Sequence, residues 1–481
     1  MVKYLPHLAT VTGLLAALCV LVVIPTVLRT KRDATVAVAW CLLVLFLPIF
    51  GAVFFWAFGY NYLHRRVVRK RAHRAAFRQS HPPALREAVR GAATTGDDTT
   101  YQHLGALALA VRAFPVAPGN AVTLYHETDR AFADLLEAIR AARRHVHLEF
   151  FIVRSDATAD RLLQLLTEKA KAGVEVRFLF DAMGSLYLKR RLLRPLTDAG
   201  GKACAFLPVN PFRSLIQVNL RNHRKIVVID GQVGFTGGMN VGDEYLGKGA
   251  RFGYWRDTFL RLQGPAVAGL QRVFTEDWDF ASGEALNAAA YFPAVPAEGG
   301  TTVQVVESGP DQDTNSIREV YFAAILAARE RLWIASPYFV PDSGMLDALR
   351  LARYRGVDVR LLCIARADHF LSFYASRYYW SDLLAAGAHV YQYARGMMHS
   401  KIVMVDGRWA MVGSANLDNR SLRLNFEVGC ALHAPEQVAE LEARFQADLA
   451  DAVELDAETF ARRPFVAQLT ENACRLFSPV L

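Results

Sequence analysis

Two eight-residue segments of this 481-residue chain place a histidine, a lysine and an aspartate at the same spacing. His223, Lys225 and Asp230 form the first set, and His399, Lys401 and Asp406 the second. The agreement continues downstream, as Gly237-Gly238-Met239-Asn240 in the first copy and Gly413-Ser414-Ala415-Asn416 in the second. Counted from each His, Lys falls at +2, Asp at +7, Gly at +14, a small residue at +15 and Asn at +17. A lone His on a strand is usually structural, and a lone Lys two residues on is usually a solvated charge. Two copies that agree at six offsets, 176 residues apart, mark a duplicated site.

The residue types suit phosphodiester chemistry. A phosphodiester carries one negative charge, and its cleavage builds more charge on its oxygens. Lys225 and Lys401, with Asn240, Asn416 and Ser414 as phosphate-binding candidates, can stabilise those oxygens without a metal or an organic cofactor. One imidazole can attack phosphorus and form a phosphohistidine. The other can protonate the departing alcohol and then take a proton from the incoming one. The ordinary pKa of histidine allows one ring to be neutral and the other charged near neutral pH. The catalytic candidates are therefore His223, Lys225, Asp230, His399, Lys401 and Asp406. Asp230 and Asp406 precede Gly231 and Gly407, a turn position, and suit local structure better than chemistry.

Strands must carry these groups. Residues i and i+2 share one strand face, so His223 projects with Lys225 and His399 with Lys401. Ile226–Ile229 then buries the first strand. Asp230-Gly231 and Asp406-Gly407 are predicted hairpin turns, and each return strand brings its Asn back beside the His/Lys end. Around the motifs the αβ pattern repeats. In the first half, helices over 130–144 and 159–172 alternate with strands over 145–153 and 174–181. In the second, helices over 317–330 and 344–354 alternate with strands over 332–340 and 356–363. This predicts an α/β fold of two similar halves, mixed sheets flanked by helices, over 121–295 and 296–481. Residues 81–120 read as a linker.

Residues 1–80 are different in kind. Leu8 to Leu28 and Ala34 to Tyr60 are uncharged runs of 21 and 27 residues, and about 20 helical residues cross a bilayer core. Pro25 and Pro48 are tolerable kinks. A cleaved signal is disfavoured, because the one A-x-A-like site, Ala37-Val38-Ala39, lies inside the second run. Arg29, Lys31 and Arg32 lie between the runs, and Arg65, Arg66, Arg69, Lys70, Arg71, Arg74 and Arg78 follow the second. The larger cluster predicts a cytoplasmic body, and it also suits anionic headgroups. The net charge of +9 arises here. Residues 1–80 hold 11 Lys/Arg against one acid, and the remainder holds 44 against 45. The body thus lacks the basic excess of a nucleic-acid binder. The six cysteines show no metal or redox spacing and read as reduced.

The chain resembles the bacterial cardiolipin synthases of the phospholipase D superfamily over nearly its full length. The resemblance rests on Arg221-Asn222-His223-Arg224-Lys225, Gly237 to Tyr245, Trp255-Arg256-Asp257, Ser336 to Asp342, Gly413 to Ser421, and Asn425-Phe426-Glu427. It implies two phospholipase D-like lobes with the site between them, behind two transmembrane helices in a bacterial inner membrane. It implies a ping-pong transfer in which one phosphatidylglycerol gives its phosphatidyl group to a His and releases glycerol. A second phosphatidylglycerol then takes the group, giving cardiolipin. It further implies a His-orienting carboxylate downstream of each motif, for which Glu427 and Asp257 are the matches, and it favours His223 as nucleophile with His399 as acid/base. Other donors such as phosphatidylethanolamine, hydrolysis by water, and a membrane-tethered nuclease are the competing activities. No cofactor or nucleic-acid partner is implied, and the sequence is silent on oligomeric state. Two apolar stretches, 207–218 and 369–384 with Phe370, Phe373 and Trp380, read equally as lipid access surfaces or as core.

Overall fold

The computed structural model describes residues 5–31, 34–59, 70–71, 74, 99–208 and 220–481. The basic residues at 65, 66, 69 and 78, most of the expected linker and the apolar stretch 209–218 lie outside these. The described residues form two compact units: residues 5–31, 34–59 and 70 in one, and 71, 74, 99–208 and 220–481 in the other.

In the first unit, α1 (Leu5–Thr30) contains a 21-residue apolar span, Thr10–Thr30, with mean hydropathy 2.6. The second apolar run is divided. It forms α2 (Ala34–Phe46) and α3 (Pro48–Phe54), followed by a wider helical turn over Phe55–Gly59. Pro48 has no N–H to continue α2 and is accommodated in the first turn of α3. With 13 residues, α2 is about 20 Å long, short of the ~30 Å bilayer core. Of the two membrane helices expected, only α1 is long enough to cross unaided. Val23, Val27, Val44 and Phe55 pack as a small core, with Trp40 edge-on to Phe55 at 5.4 Å.

The second unit is built on one 15-stranded mixed sheet. Its first-half strands are β1 (Ala117–Tyr125), β2 (His145–Phe150), β3 (Glu175–Asp181), β4 (Lys202–Phe206), β5 (Ile226–Ile229), β6 (Val233–Gly237) and β8 (Phe259–Gln263), with the two-residue β7 (Trp255–Arg256) outside the sheet. Its second-half strands are β9 (Thr301–Ser308), β10 (Arg331–Ala335), β12 (Asp358–Ile364), β13 (His389–Tyr393), β15 (Ile402–Val405), β16 (Trp409–Gly413), β18 (Glu427–Leu432) and β19 (Ala452–Glu454). The short strands β11 (Phe339–Val340), β14 (Met397–Met398) and β17 (Leu417–Asp418) also lie outside it. From the antiparallel pair β1/β9 the order runs outward as 8-6-5-2-3-4 on one side and 18-16-15-10-12-13 on the other. Each strand thus has its counterpart except β19, which adds an antiparallel edge beyond β13; this is the duplication seen as topology. In each half three parallel strands follow the motif-bearing hairpin outward: β2, β3 and β4 in one, β10, β12 and β13 in the other.

Matched caps start matched helices. Asp156 accepts from the Ala159 N–H at the start of Ala157–Lys171, and Asp342 from the Met345 N–H at the start of Ser343–Tyr354. The second half adds a helix, Phe370–Ala385, that settles the reading of its aromatics. Phe373 and Trp380 are buried in the core, and only Phe370 and Leu371 at its start are exposed. Arg74 also departs from expectation. It is buried, with its guanidinium on Glu276 and Asp311 at 2.7 and 3.4 Å and on Glu307. Arg71 pairs with Asp313 at 2.8 Å. These two residues of the basic cluster serve the body and not lipid headgroups.

Candidate active site

The motifs sit where the two halves exchange backbone contacts. Asn222 bridges Phe426, and the His223 N–H donates to the Phe426 carbonyl at 2.9 Å. On the other side β14 pairs with β7, Met398 opposite Arg256, and the His399 N–H donates to the Arg256 carbonyl at 2.7 Å. Each pairing sets a histidine of one half beside the carboxylate that follows in the other. His223 Nδ1 lies 3.0 Å from both oxygens of Glu427. His399 Nδ1 lies 2.6 Å from Asp257 Oδ2. The carboxylates therefore serve crosswise, a pairing that spacing along the chain does not reveal.

This geometry fixes the tautomer. With Nδ1–H given to a carboxylate, Nε2 of each ring is the atom left for chemistry. Aromatic rings hold the imidazoles edge-on or tilted: Phe151 against His223 at 4.8 Å and Trp255 against His399 at 5.2 Å. Sequence reasoning missed both, though Trp255 is two residues from Asp257 and was legible as part of the same string.

Burial governs the electrostatics. It pushes His223 down to about 4, against the pull of Glu427, with Lys225 adding to the fall. His399 is lowered too, by burial and Lys401, against Asp257. Burial would raise Glu427, but His223 and Lys225 outweigh it and hold the carboxyl below its ordinary value. Asp257 is likewise held low by His399 and Lys401 despite its burial. Burial lowers Lys225 to about 7 and Lys401 to about 8, with Glu427 and Asp257 opposing, and Lys401 lowers Lys225 further. The two motifs thus share one electrostatic site. Each ammonium is tied back to the carbonyl of its own histidine, Lys225 Nζ at 2.6 Å from His223 O and Lys401 likewise on His399 O.

A cavity of about 430 Å³ opens on this centre, lined by Phe151, Arg221, His223, Tyr338, Asn416 and Arg420, among others. Asn416 is buried; its Nδ2 donates to Asp418 at 3.2 Å, and its Oδ1 has no partner among the described residues. Arg221 and Arg420 were not among the expected site residues. Burial lowers the pKa of both, with Asp181 opposing at Arg221 and Asp418 opposing at Arg420.

Four expected residues are placed otherwise. Ser414 donates its hydroxyl to Glu427 and accepts from the Val428 N–H at 3.0 Å, so it supports that carboxylate, and it is not among the residues lining the cavity. Asp230 and Asp406, grouped with the catalytic candidates, lie at the far ends of β5 and β15. Asp230 accepts from the N–H groups of Arg143, Arg144 and His145 at 2.7–2.9 Å. Asp406 accepts from Arg329, Glu330 and Arg331 at 2.8–2.9 Å. Both have positive φ, 54° and 52°, followed by Gly231 and Gly407 at 69° and 67°, the hairpin geometry expected of Asp-Gly. Asn240 accepts from the Ile152 N–H at 3.1 Å and is not among the residues lining the cavity.

Asp230→Ala is accordingly a stability variant. It removes three charge-assisted bonds and puts a Cβ-only residue at positive φ, and a loss of about 2–4 kcal/mol is expected. Denaturant titration should show it, with kcat of the folded fraction within a few-fold of the parent. A large kcat defect at unchanged stability would return Asp230 to the chemistry.

Known proteins fit this frame. The family profile described as "Cardiolipin synthase, PLD-like domain" matches residues 135–278 and 321–449, and "Phospholipase_D-nuclease N-terminal" matches 14–59. A cardiolipin synthase of Geobacillus kaustophilus is 40% identical over 94% of this chain and 90% of its own length. Cardiolipin synthase 2 of Bacillus cereus is 39% identical over 94% and 88%. Among solved structures, phosphatidylserine synthase of Haemophilus influenzae superposes with a TM-score of 0.59 at 15% identity, covering 79% of this chain and all of that one, a likeness of fold. Two matched repeats, two cross-held histidines and this similarity along nearly the whole sequence agree: the chain belongs to the phospholipase D-like cardiolipin synthase family.

Proposed function

We propose that the chain is a phosphatidyltransferase that makes cardiolipin from two phosphatidylglycerol molecules through a phosphohistidine on His223. The observation that carries the mechanism is the crossed pair of buried, carboxylate-held imidazoles beside one cavity. The donor phosphodiester sits in the cavity, where Asn416 and Arg420 line the wall and the buried Lys225 and Lys401 beside the histidines supply positive charge. His223 Nε2 attacks phosphorus as the bond to the headgroup glycerol oxygen breaks. His399, protonated, gives its Nε2 proton to that oxygen, and glycerol leaves. A hydroxyl of the second phosphatidylglycerol then loses its proton to His399 and attacks phosphorus. The P–N bond breaks, and both rings return to their starting states. His223 is the favoured nucleophile because it lines the cavity, and burial keeps its ring neutral. The arriving phosphate charge favours protonation of His399.

Membrane placement belongs to the same reading. We infer that α1 crosses a bacterial inner membrane, that the second apolar run returns the chain, and that the body, two lobes meeting near residue 296, faces the cytoplasm. The hydropathy of α1 and the larger basic cluster after residue 60 support this.

The test is a product assay on the full chain in lipid–detergent micelles with EDTA, using labelled phosphatidylglycerol. Cardiolipin with free glycerol is expected. Phosphatidic acid as the main product would make water the acceptor, and cardiolipin formed only when phosphatidylethanolamine is added would change the lipid pair.

The pH profile follows from the groups that must hold a proton. In the free enzyme the acid His399, held below its ordinary value by burial, and Lys225, at about 7, each lose a proton as pH rises, so kcat/KM falls on the alkaline side, the lysine's part through pH 7–8. A bound phosphodiester anion favours the ammonium and raises that pKa, so the alkaline limb of kcat should lie at higher pH. Coincident limbs in the two profiles would overturn this account.

A further inference from the structure

We propose that the helix Phe465–Arg475 and the turn after it form a lipid-bilayer docking face that feeds the catalytic cavity. This rests on the reading of the substrate as a membrane phospholipid. The helix is amphipathic in the reverse of the usual sense. Its inner face carries Glu471, fully buried and held by Arg377 at 2.8 Å and Arg463 at 2.7 Å, with Cys474 beside it. Its outer face carries Phe465, Val466 and Leu469, 75%, 72% and 56% exposed, continued by Leu476 and Phe477 at 74% and 51%. At about 100° per residue these five positions fall within roughly 120° of arc, and Glu471 and Cys474 lie outside it. A surface helix ordinarily buries its apolar stripe. Here a buried carboxylate held by two arginines fixes the helix with that stripe outward.

The stripe is not isolated. Among the described residues of the unit of 71–208 and 220–481, 15 large hydrophobic residues are exposed, and eight of them are on 370–371 and 465–480. The helix Phe465–Arg475 packs on Phe370–Ala385. Phe370, Leu371 and Val480 are exposed, and they also line the cavity that contains His223. The exposed apolar surface and the catalytic wall thus share Phe370, Leu371 and Val480. A diacyl phospholipid has its phosphate at the bilayer surface and its chains below, so a site of this kind needs an apolar rim that meets the interface. Aromatic and aliphatic groups beside arginine suit that environment. Arg475, seated on the Tyr378 ring at 4.3 Å, provides such a cation beside the stripe.

The test uses the full chain in proteoliposomes, with bimane attached at Leu469→Cys or Leu476→Cys and nitroxide-labelled phosphatidylcholine as quencher. Leu351→Cys, an exposed apolar position on another helix, is the control. Quenching several-fold stronger at 469 and 476 than at 351 is expected. Equal, weak quenching at all three would overturn the proposal. So would cross-linking between copies through Leu469→Cys, which would make the stripe a self-association face, or shielding by the chain's own N-terminal unit, detected as a cross-link within one molecule. A second arm pairs Phe465→Glu with Leu469→Glu. Apparent KM for vesicle phosphatidylglycerol should rise about tenfold, with kcat on a dispersed short-chain analogue unchanged. Loss on both substrates together with normal lipid quenching would leave the face without a part in substrate delivery and overturn that part of the proposal. The quenching arm does not depend on turnover, so a parent enzyme that makes another product would defeat the proposed reaction without touching this result.

Discussion

His223→Ala should lose transfer by at least about 10⁴-fold, about 5.5 kcal/mol of barrier, and should form no covalent phosphatidyl-enzyme. His399→Ala should lose turnover by about 10²–10⁴-fold, the range of a general acid–base contribution, but with a different signature. A phosphodiester whose leaving group departs without protonation, such as a nitrophenyl ester, bypasses the acid in the first half-reaction. His399→Ala should therefore still label His223 with that substrate and then stall, giving a burst of one equivalent of nitrophenol. Rapid-quench measurement of the burst and of protein-bound phosphorus checks this. A burst in His223→Ala and none in His399→Ala would reverse the assignment. The asymmetry follows from the cavity, which His223 lines beside Asn416 and Arg420.

The second large effect lies on the carboxylates. Glu427→Gln leaves a side chain of the same shape whose amide offers His223 a donor as readily as an acceptor. The ring then loses both its fixed tautomer and the charge that stabilises an imidazolium. The comparable substitution in a serine-protease triad lowers kcat by about 10⁴, and a loss of about 10²–10⁴ is expected here. Because the pairing is crossed, Glu427→Gln should suppress labelling of His223, although Glu427 lies 28 residues beyond His399. Asp257→Asn should weaken the acid/base step instead, and the activated ester should rescue its first half-reaction. Labelling that survives Glu427→Gln and fails in Asp257→Asn would show that each carboxylate serves its own repeat.

The sequence carried the duplicated strand–helix order, the hairpin turns at Asp230 and Asp406, and the six residues His223, Lys225, His399, Lys401, Asp257 and Glu427 that the fold brings to one place. Local rules suffice for the strand order, the turns and the two His/Lys pairs, because alternation and Asp-Gly turns act within a few residues; Asp257 and Glu427 were matched through the resemblance of the strings around them. Which carboxylate meets which histidine was not legible. It depends on the Asn222–Phe426 bridge and the β7/β14 pair, contacts about 200 and 140 residues apart along the chain. Ser414 was misplaced for a related reason. Its offset matches Gly238, but only the assembled sheet shows a carboxylate waiting beside each position: Glu427 bonded to the Ser414 hydroxyl, and Asp257 so close that a Cβ on Gly238 would lie 2.1 Å from its oxygen. The break at Pro48 was visible as a residue but not as a consequence, since a proline inside a hydrophobic run is compatible with either a kink or an end.

The crossed carboxylates make this molecule a dimer folded into one strand of covalent chain. A half taken alone holds a histidine whose Nδ1–H has no acceptor, and a carboxylate with no imidazole to hold. Neither half holds a complete histidine–carboxylate pair without the other. A lesion in one repeat is felt at the opposite ring. Two differently inactivated halves, supplied as separate polypeptides, could restore one another only by docking across β1 and β9. Assembly of the catalytic pair and closure of the sheet are, in that sense, a single event.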